Sequence, residues 1–403
     1  MRTPEGKPRF FPGFSPILLL AGIFFFNFLS RIILSPLLLT VERDLSLSHF
    51  QASRFFLITA VGYSLAMLFS GFVSLLLTHR RIVLISVFLP CAALLGIGLG
   101  ASVTVIRVGL FVLGLGAGLY APSGLAMLTT LAEEKSWGRA TALHELGPNL
   151  GLICAPLLAG LLLPVVSWQA IMVLLAAVWF CCGLLFVIRG RGGDFHGRAP
   201  SLSTMGRLLG QRTFWVFLII FGLGAAAELG VYSLIPTYLA VERGLSEAMV
   251  HRLVGISRLA NLGVIFVAGW LADRCGARRL LLVLLPGIGA ATALLALPRG
   301  GALLAAVFVQ PVLVAAFFPV SLAVLYRIIP PRLLNVAVSL IMPVSYLFGG
   351  GVVPAWLGWF AEQGNLAAGL TGLGVLIAAS VLLLPWLRTT AAAAARKEVL
   401  YED

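Results

Sequence analysis

Apolar residues run along this chain in long blocks broken by short polar stretches. A helix that crosses a bilayer needs about 20 mostly apolar residues. Twelve blocks meet that length, at roughly 15–40, 51–77, 82–101, 104–131, 140–164, 168–188, 213–240, 247–272, 280–298, 301–327, 334–360 and 366–387. They predict an all-α membrane protein of twelve transmembrane helices. Most connections between them are short. The exception, 190–212, is rich in Gly, Pro and Ser and reads as a linker, within which 202–210 is a candidate interfacial helix. The chain therefore divides into a first six-helix bundle at 1–189, a cytoplasmic linker at 190–212, a second six-helix bundle at 213–388 and a cytoplasmic tail at 389–403.

The two halves share a pattern. Pro36, Val41, Glu42, Arg43, Leu45 and Ser46 recur as Pro236, Val241, Glu242, Arg243, Leu245 and Ser246. Gly71 recurs as Gly269. Pro122, Leu125, Ala126 and Leu128 recur as Pro319, Leu322, Ala323 and Leu325, and Gly151, Pro156 and Gly160 recur as Gly349, Pro354 and Gly358. An internal repeat in an apolar chain implies two pseudo-symmetric bundles, with a substrate site between them near the middle of the bilayer.

Composition narrows the reading. The chain is 60% hydrophobic and 11% charged, with a mean hydropathy of +1.05. Soluble domains carry roughly a quarter of their residues as charges. The net charge of +13 is no nucleic-acid footprint, because the basic residues fall mainly in short loops. With the N-terminus placed inside, most Lys and Arg lie in inner loops and tails. That puts both termini in the cytoplasm. The compact loops and heavy use of Arg suggest a bacterial inner membrane. The first apolar run is too long for a signal peptide, and others follow it. Cys91, Cys154, Cys181, Cys182 and Cys275 show neither a disulfide framework nor metal-ligand spacing, so no metal or cofactor is expected. No nucleophile–base pair or phosphate loop suggests an enzyme. Without a nucleotide-binding segment, an ion gradient must supply the energy.

After the eighth block comes Gly269-Trp-Leu-Ala-Asp273-Arg274-Cys-Gly276-Ala-Arg278-Arg279. This resembles the signature loop of the major facilitator superfamily, Gly-x-x-x-Asp-Arg-x-Gly-x-Arg-Arg. The resemblance covers about 15–388. It implies the family's fold of two six-helix bundles, alternating access, and a gating loop in which Gly269, Asp273, Arg274, Gly276 and Arg278 help close one state on the cytoplasmic side. The first half departs from the pattern: Leu75 stands where the loop's acid belongs, ahead of His79, Arg80 and Arg81. Arg107 lies too far ahead of Gly114, Gly116 and Gly118 to take the role of the family's buried arginine. Gly147-Pro148-Asn149-Leu150-Gly151 looks like part of an antiporter motif and is expected to be a site of bending and close packing.

Ionisable groups inside a membrane are costly, so each is a functional candidate. They are Arg31, His144, Glu145, Glu228 and Arg258. Each but His144 has a polar companion one turn away: Asn27 for Arg31, Asn149 for Glu145, Tyr232 for Glu228 and Asn261 for Arg258. The resemblance turns faces of helices one, five, seven and eight toward the central cavity. Arg258 lies roughly 16 Å from the inner end of its helix, near the midplane, where a guanidinium can grip an oxyanion through two hydrogen bonds. The alternative is an ion pair with Glu145. Arg31 and Glu228 lie at similar depth and are candidates to pair as an outer gate; otherwise Arg31 is a second anion clamp or snorkels to the outer surface. Glu145 is the first candidate for proton coupling, followed by Glu228. Its neighbour His144 points in a different direction on a helix and is as readily structural. Tyr63, Tyr120, Gln310 and Tyr346 are further candidates for cavity hydrogen bonds, Tyr120 foremost.

These features describe a transporter of a small solute, expected to be a small organic anion moved with protons by a monomer in the lipid bilayer. Two alternatives stay open at this point. One is a proton-coupled exporter of lipophilic or cationic compounds, which requires Glu145 and Glu228 unpaired in the cavity. The other is a non-transporting sensor or assembly factor on the same fold.

Overall fold

The computed structural model describes residues 15–100, 102–132, 137–197, 202–297 and 300–387. The tail expected at 389–403, both termini and Lys135 lie outside the described residues. The apolar helices are α1 (Pro16–Leu45), α2 (His49–Leu76), α3 (His79–Leu99), α4 (Val103–Leu131), α5 (Trp137–Leu162), α6 (Trp168–Arg189), α7 (Arg212–Val241), α8 (247–271), α9 (Ala277–Leu294), α10 (Gly301–Ile328), α11 (Arg332–Glu362) and α12 (Leu366–Trp386). Helices α8 and α9 belong to one helical run of 48 residues. At 1.5 Å per residue, such a run is more than twice as long as a bilayer core of about 30 Å is thick. Gly276, at φ +89°, turns the chain inside it, and two crossings result.

Local sequence fixes where helices begin. At one end of the molecule α2, α4, α6, α8 and α12 start from Ser48, Ser102, Ser167, Ser246 and Asn365, whose side chains accept a backbone N–H of the first turn. Such caps are worth about 1 kcal/mol each and allow short, sharp loops. We call this end distal, and the end holding Ser15 and Leu387 proximal. Leu99, Ile188 and Val283, each more than 70% exposed, are among the large apolar side chains left facing outward. Apolar surface on this scale marks a membrane protein.

Within the first bundle α1 packs on α5, α2 on α4 and α3 on α6; within the second, α7 packs on α11, α8 on α10 and α9 on α12. The bundles meet along α1–α7, α2–α11 and α5–α8. Their cross-bundle hydrogen bonds run from the distal end to mid-depth. Ser35 donates to the Tyr232 carbonyl (2.7 Å), His251 Nε2 to the Pro36 carbonyl (3.1 Å) and Ser64 to the Pro343 carbonyl (2.7 Å), while the Phe50 N–H donates to Glu362 (3.2 Å). The proximal half of α4 packs on its own bundle. Among the described residues no side-chain hydrogen bond joins the bundles nearer the proximal end, which leaves a cleft between them opening that way.

Part of the expected linker is tied down. Phe195, Gly193 and Gly197 exchange backbone hydrogen bonds with His79, Arg80 and Ser74, at 2.8–3.0 Å. Arg80 also donates to the carbonyls of Gly190 (2.6 Å) and Val187 (3.1 Å) at the end of α6. The basic end of the first-half loop, which lacks the family's acid, thus closes a helix terminus of its own bundle. The short helix Leu202–Leu209 follows.

Candidate functional site: a charged cleft between the bundles

Four helices lose regular geometry where the charged residues sit. Helix α1 breaks at Ile33, two residues after Arg31, just before Pro36. Helix α7 widens to a π-turn over Ala226–Gly230, which carries Glu228. Helix α8 tightens around Arg258, where Arg258, Leu259, Asn261 and Leu262 bond three residues back instead of four. Helix α11 forms a π-turn over Phe348–Val352, next to Tyr346. Irregular backbone is tolerated at membrane depth only where protein or a cavity satisfies the freed groups, and π-turns gather at functional sites. Gln310 supplies one such partner, its amide nitrogen Nε2 donating to the Ala227 carbonyl at 2.8 Å. Gln310 therefore supports the π-turn rather than lining the cleft.

Arg31 is 6% exposed and lies in a cage of three rings. Its guanidinium carbon is 4.9 Å from the centroid of Phe28, 4.2 Å from Tyr63 and 4.8 Å from Tyr346. Tyr63 comes from α2, held close to α4 because Gly114 and Gly118 let the α2 backbone approach. Tyr346 comes from α11, so the cage is built from both bundles. Arg31 Nε donates to the Asn27 carbonyl (3.3 Å), and the Asn27 side chain donates to the Ala117 carbonyl on α4 (3.1 Å). Asn27 is thus an anchor for Arg31 and does not face the cleft. No carboxylate of the described residues pairs with Arg31.

Arg258 pairs with Glu228, within the second bundle. Arg258 is 3% exposed and Glu228 7%. This corrects two sequence expectations: Glu228 does not pair with Arg31, and Arg258 does not pair with Glu145. Both earlier readings assumed helix rotations that the sequence leaves free. The Arg258 guanidinium stacks on Tyr232 at 4.6 Å, and its Nε and the nearby Asn261 Oδ1 are buried without a hydrogen-bond partner among the described residues. Tyr232 reaches the other bundle, its hydroxyl donating to the Leu152 carbonyl on α5 at 3.2 Å.

On α5, His144 and Glu145 meet although adjacent in sequence: Nδ1 and Oε1 are 3.3 Å apart. His144 is buried against Phe24, with ring centroids 4.5 Å apart, whereas the Glu145 side chain is 57% exposed. Tyr120 is fully buried; its hydroxyl donates to the Leu20 carbonyl (2.7 Å) and meets His144 Nε2 (3.0 Å). It therefore orients His144 and is not open to a solute. Asn149 is partly exposed, and its side chain donates to the Glu145 carbonyl (3.0 Å).

At the proximal end, Asp273, Arg274 and Arg278 of the signature loop are exposed. Asp273 has no ion-pair partner among the described residues, Arg274 stacks on Trp270 (4.5 Å) and Arg278 donates to the Leu384 carbonyl (3.1 Å). Gly269 has open space beside it, while Gly276 makes the turn. Among the described residues the loop makes no hydrogen bond or ion pair to the first bundle, in keeping with a cleft open at this end.

The fold has solved counterparts. A bacterial homologue of the human lysosomal transporter Spinster, inward-facing and unoccupied, superposes with a TM-score of 0.72 at 17% identity, covering 97% of this chain and 98% of that one. A D-xylose–proton symporter superposes with a TM-score of 0.75 at 15% identity, covering 94% and 98%. No curated protein matches in sequence. Residues 20–301 and 231–400 match the Major Facilitator Superfamily in sequence. With two bundles around a central cleft and the signature loop at the open end, this chain belongs to the major facilitator superfamily and is an integral membrane transporter, not an enzyme.

Proposed function

We propose that this transporter moves a small organic anion together with protons, and that Arg31 grips the anion. The carrying observation is that Arg31 is buried without a counter-ion among the described residues. Burying a charge costs several kcal/mol even after relaxation. Ring contacts return about 0.5–2 kcal/mol each but bring no opposite charge. An arriving carboxylate supplies the missing charge. The two terminal nitrogens of Arg31 have no hydrogen-bond partner among the described residues, so they are available for a two-pronged grip. Arg258, neutralised by Glu228, ranks second as a clamp.

The proton site in this proposal is the His144–Glu145 pair. The one hydroxyl proton of Tyr120 points to the Leu20 carbonyl. Tyr120 therefore offers a lone pair to His144, and Nε2 carries a hydrogen. Contact between Nδ1 and Oε1 then needs one more proton, on either the imidazole or the carboxyl. With that proton the two groups hold together. Without it they repel, and Glu145 is released into the cleft. The likeness in fold to a D-xylose–proton symporter supports this reading. The exporter alternative required Glu228 unpaired, and Glu228 is engaged by Arg258. We further propose that the proximal end is cytoplasmic, in a bacterial inner membrane, with a monomer as the working unit.

The test is a thermal-shift screen of the purified protein against small carboxylates and against lipophilic cations. A ligand that binds the folded state raises its apparent stability. Stabilisation by a carboxylate, lost in Arg31→Gln, supports the proposal; stabilisation by cations alone refutes it.

A further inference from the structure

Away from the cleft, the second bundle has a pocket of about 370 Å³ at its proximal end. Gly276, Arg278 and Arg279 form one wall, Arg327 at the end of α10 another, and Leu384 and Pro385 of α12 a third. The hydrogen bond from Arg278 to the Leu384 carbonyl fixes one side of it. All three arginines are exposed, and none pairs with a carboxylate of the described residues. The acid nearest in sequence, Asp273, is exposed and unpaired among the described residues. At the same end Arg212 stacks on Trp386 at 4.9 Å.

Three guanidiniums around one small pocket suit an oxyanion with several acceptor oxygens, because each presents a planar fork of donors. The pocket does not end in solvent alone. Its wall includes Leu282, 51% exposed, and the neighbouring Val283 (71%) on α9 and Leu382 (70%) on α12 are exposed apolar side chains close in sequence to the lining residues. Trp386, 41% exposed, follows Leu384 and Pro385 at the end of α12, as aromatic residues do at a membrane interface. Basic pockets at the ends of membrane helices are suited to acidic lipid headgroups.

We propose that this pocket holds the headgroup phosphate of an anionic phospholipid whose acyl chains lie along α9 and α12. A free phosphate shares the headgroup chemistry but makes no use of the apolar strip.

The full-length protein, delipidated in detergent, is titrated separately with phosphatidylglycerol, phosphatidylcholine and inorganic phosphate. The readouts are the melting temperature and the lipid retained per protein. Phosphatidylglycerol is expected to be retained and to stabilise in preference to phosphatidylcholine. The doubly substituted Arg279→Gln/Arg327→Gln protein should bind it roughly tenfold more weakly or worse, from the loss of two surface charges. Arg81→Gln, an exposed proximal arginine of the first bundle, should change nothing. Equal retention of the two lipids overturns the proposal, and needs no variant to show it. So does stabilisation by inorganic phosphate that phosphatidylglycerol does not exceed, or undiminished binding in the double variant.

Discussion

Arg31 and Arg258 carry the same charge, yet of the two only Arg258 is paired with a carboxylate among the described residues. Substituting each by Lys keeps the charge and removes the fork. For Arg31→Lys we expect carboxylate binding to weaken roughly tenfold or more, since a charge-assisted hydrogen bond is worth about 1.5–3 kcal/mol and 1.4 kcal/mol is one decade. Arg258→Lys should be milder, because an ammonium can still meet Glu228. Titrating one carboxylate into both variants makes the comparison, and the reverse order would transfer the clamp to Arg258. Glu145→Gln should abolish proton-driven accumulation while leaving solute exchange, because the amide imitates the neutral acid and cannot release a proton. Accumulation at the normal rate in that variant would place the coupling group elsewhere. Hydropathy alone singled out all five charged residues, since any ionisable group within an apolar run stands out. Their partners were not legible. Arg31 and Glu228 match in depth, but depth says nothing of helix rotation, and the contact between adjacent His144 and Glu145 depends on rotamers.

At the scale of helices, the π-turn of α7 presents Glu228, and Gln310 satisfies its freed Ala227 carbonyl. Gln310→Leu leaves that carbonyl buried and unpaired, which should cost about 1–3 kcal/mol. A lowered melting temperature with impaired transport is expected; an unchanged melting temperature would show that the π-turn does not need this bond. The helices themselves were legible from apolar runs, and the Ser and Asn caps agree with where several of them begin. The breaks were only partly so. Pro36 and Gly349 to Gly351 are visible warnings of irregular backbone in α1 and α11, whereas no proline marks the tightened turn at Arg258.

At the scale of the whole molecule, distal contacts hold the bundles together, while among the described residues the signature loop bonds only within its own bundle. If the loop serves closure of that end, Asp273→Asn should slow transport and leave carboxylate binding in the open state largely intact. Transport at the normal rate would remove the loop from the cycle. The repeat made this twofold architecture readable from sequence, but not which end is closed, because both conformations share one set of helices. The central claim is that anion and proton travel together, with Arg31 holding the one and the His144–Glu145 pair the other. The most direct measurement reconstitutes the protein in liposomes loaded with a pH-sensitive dye and adds small carboxylates from a panel. At least one carboxylate should drive proton movement across the membrane, and neither Arg31→Gln nor Glu145→Gln should support it. Proton movement driven only by lipophilic cations, or undiminished in Arg31→Gln, would contradict the claim.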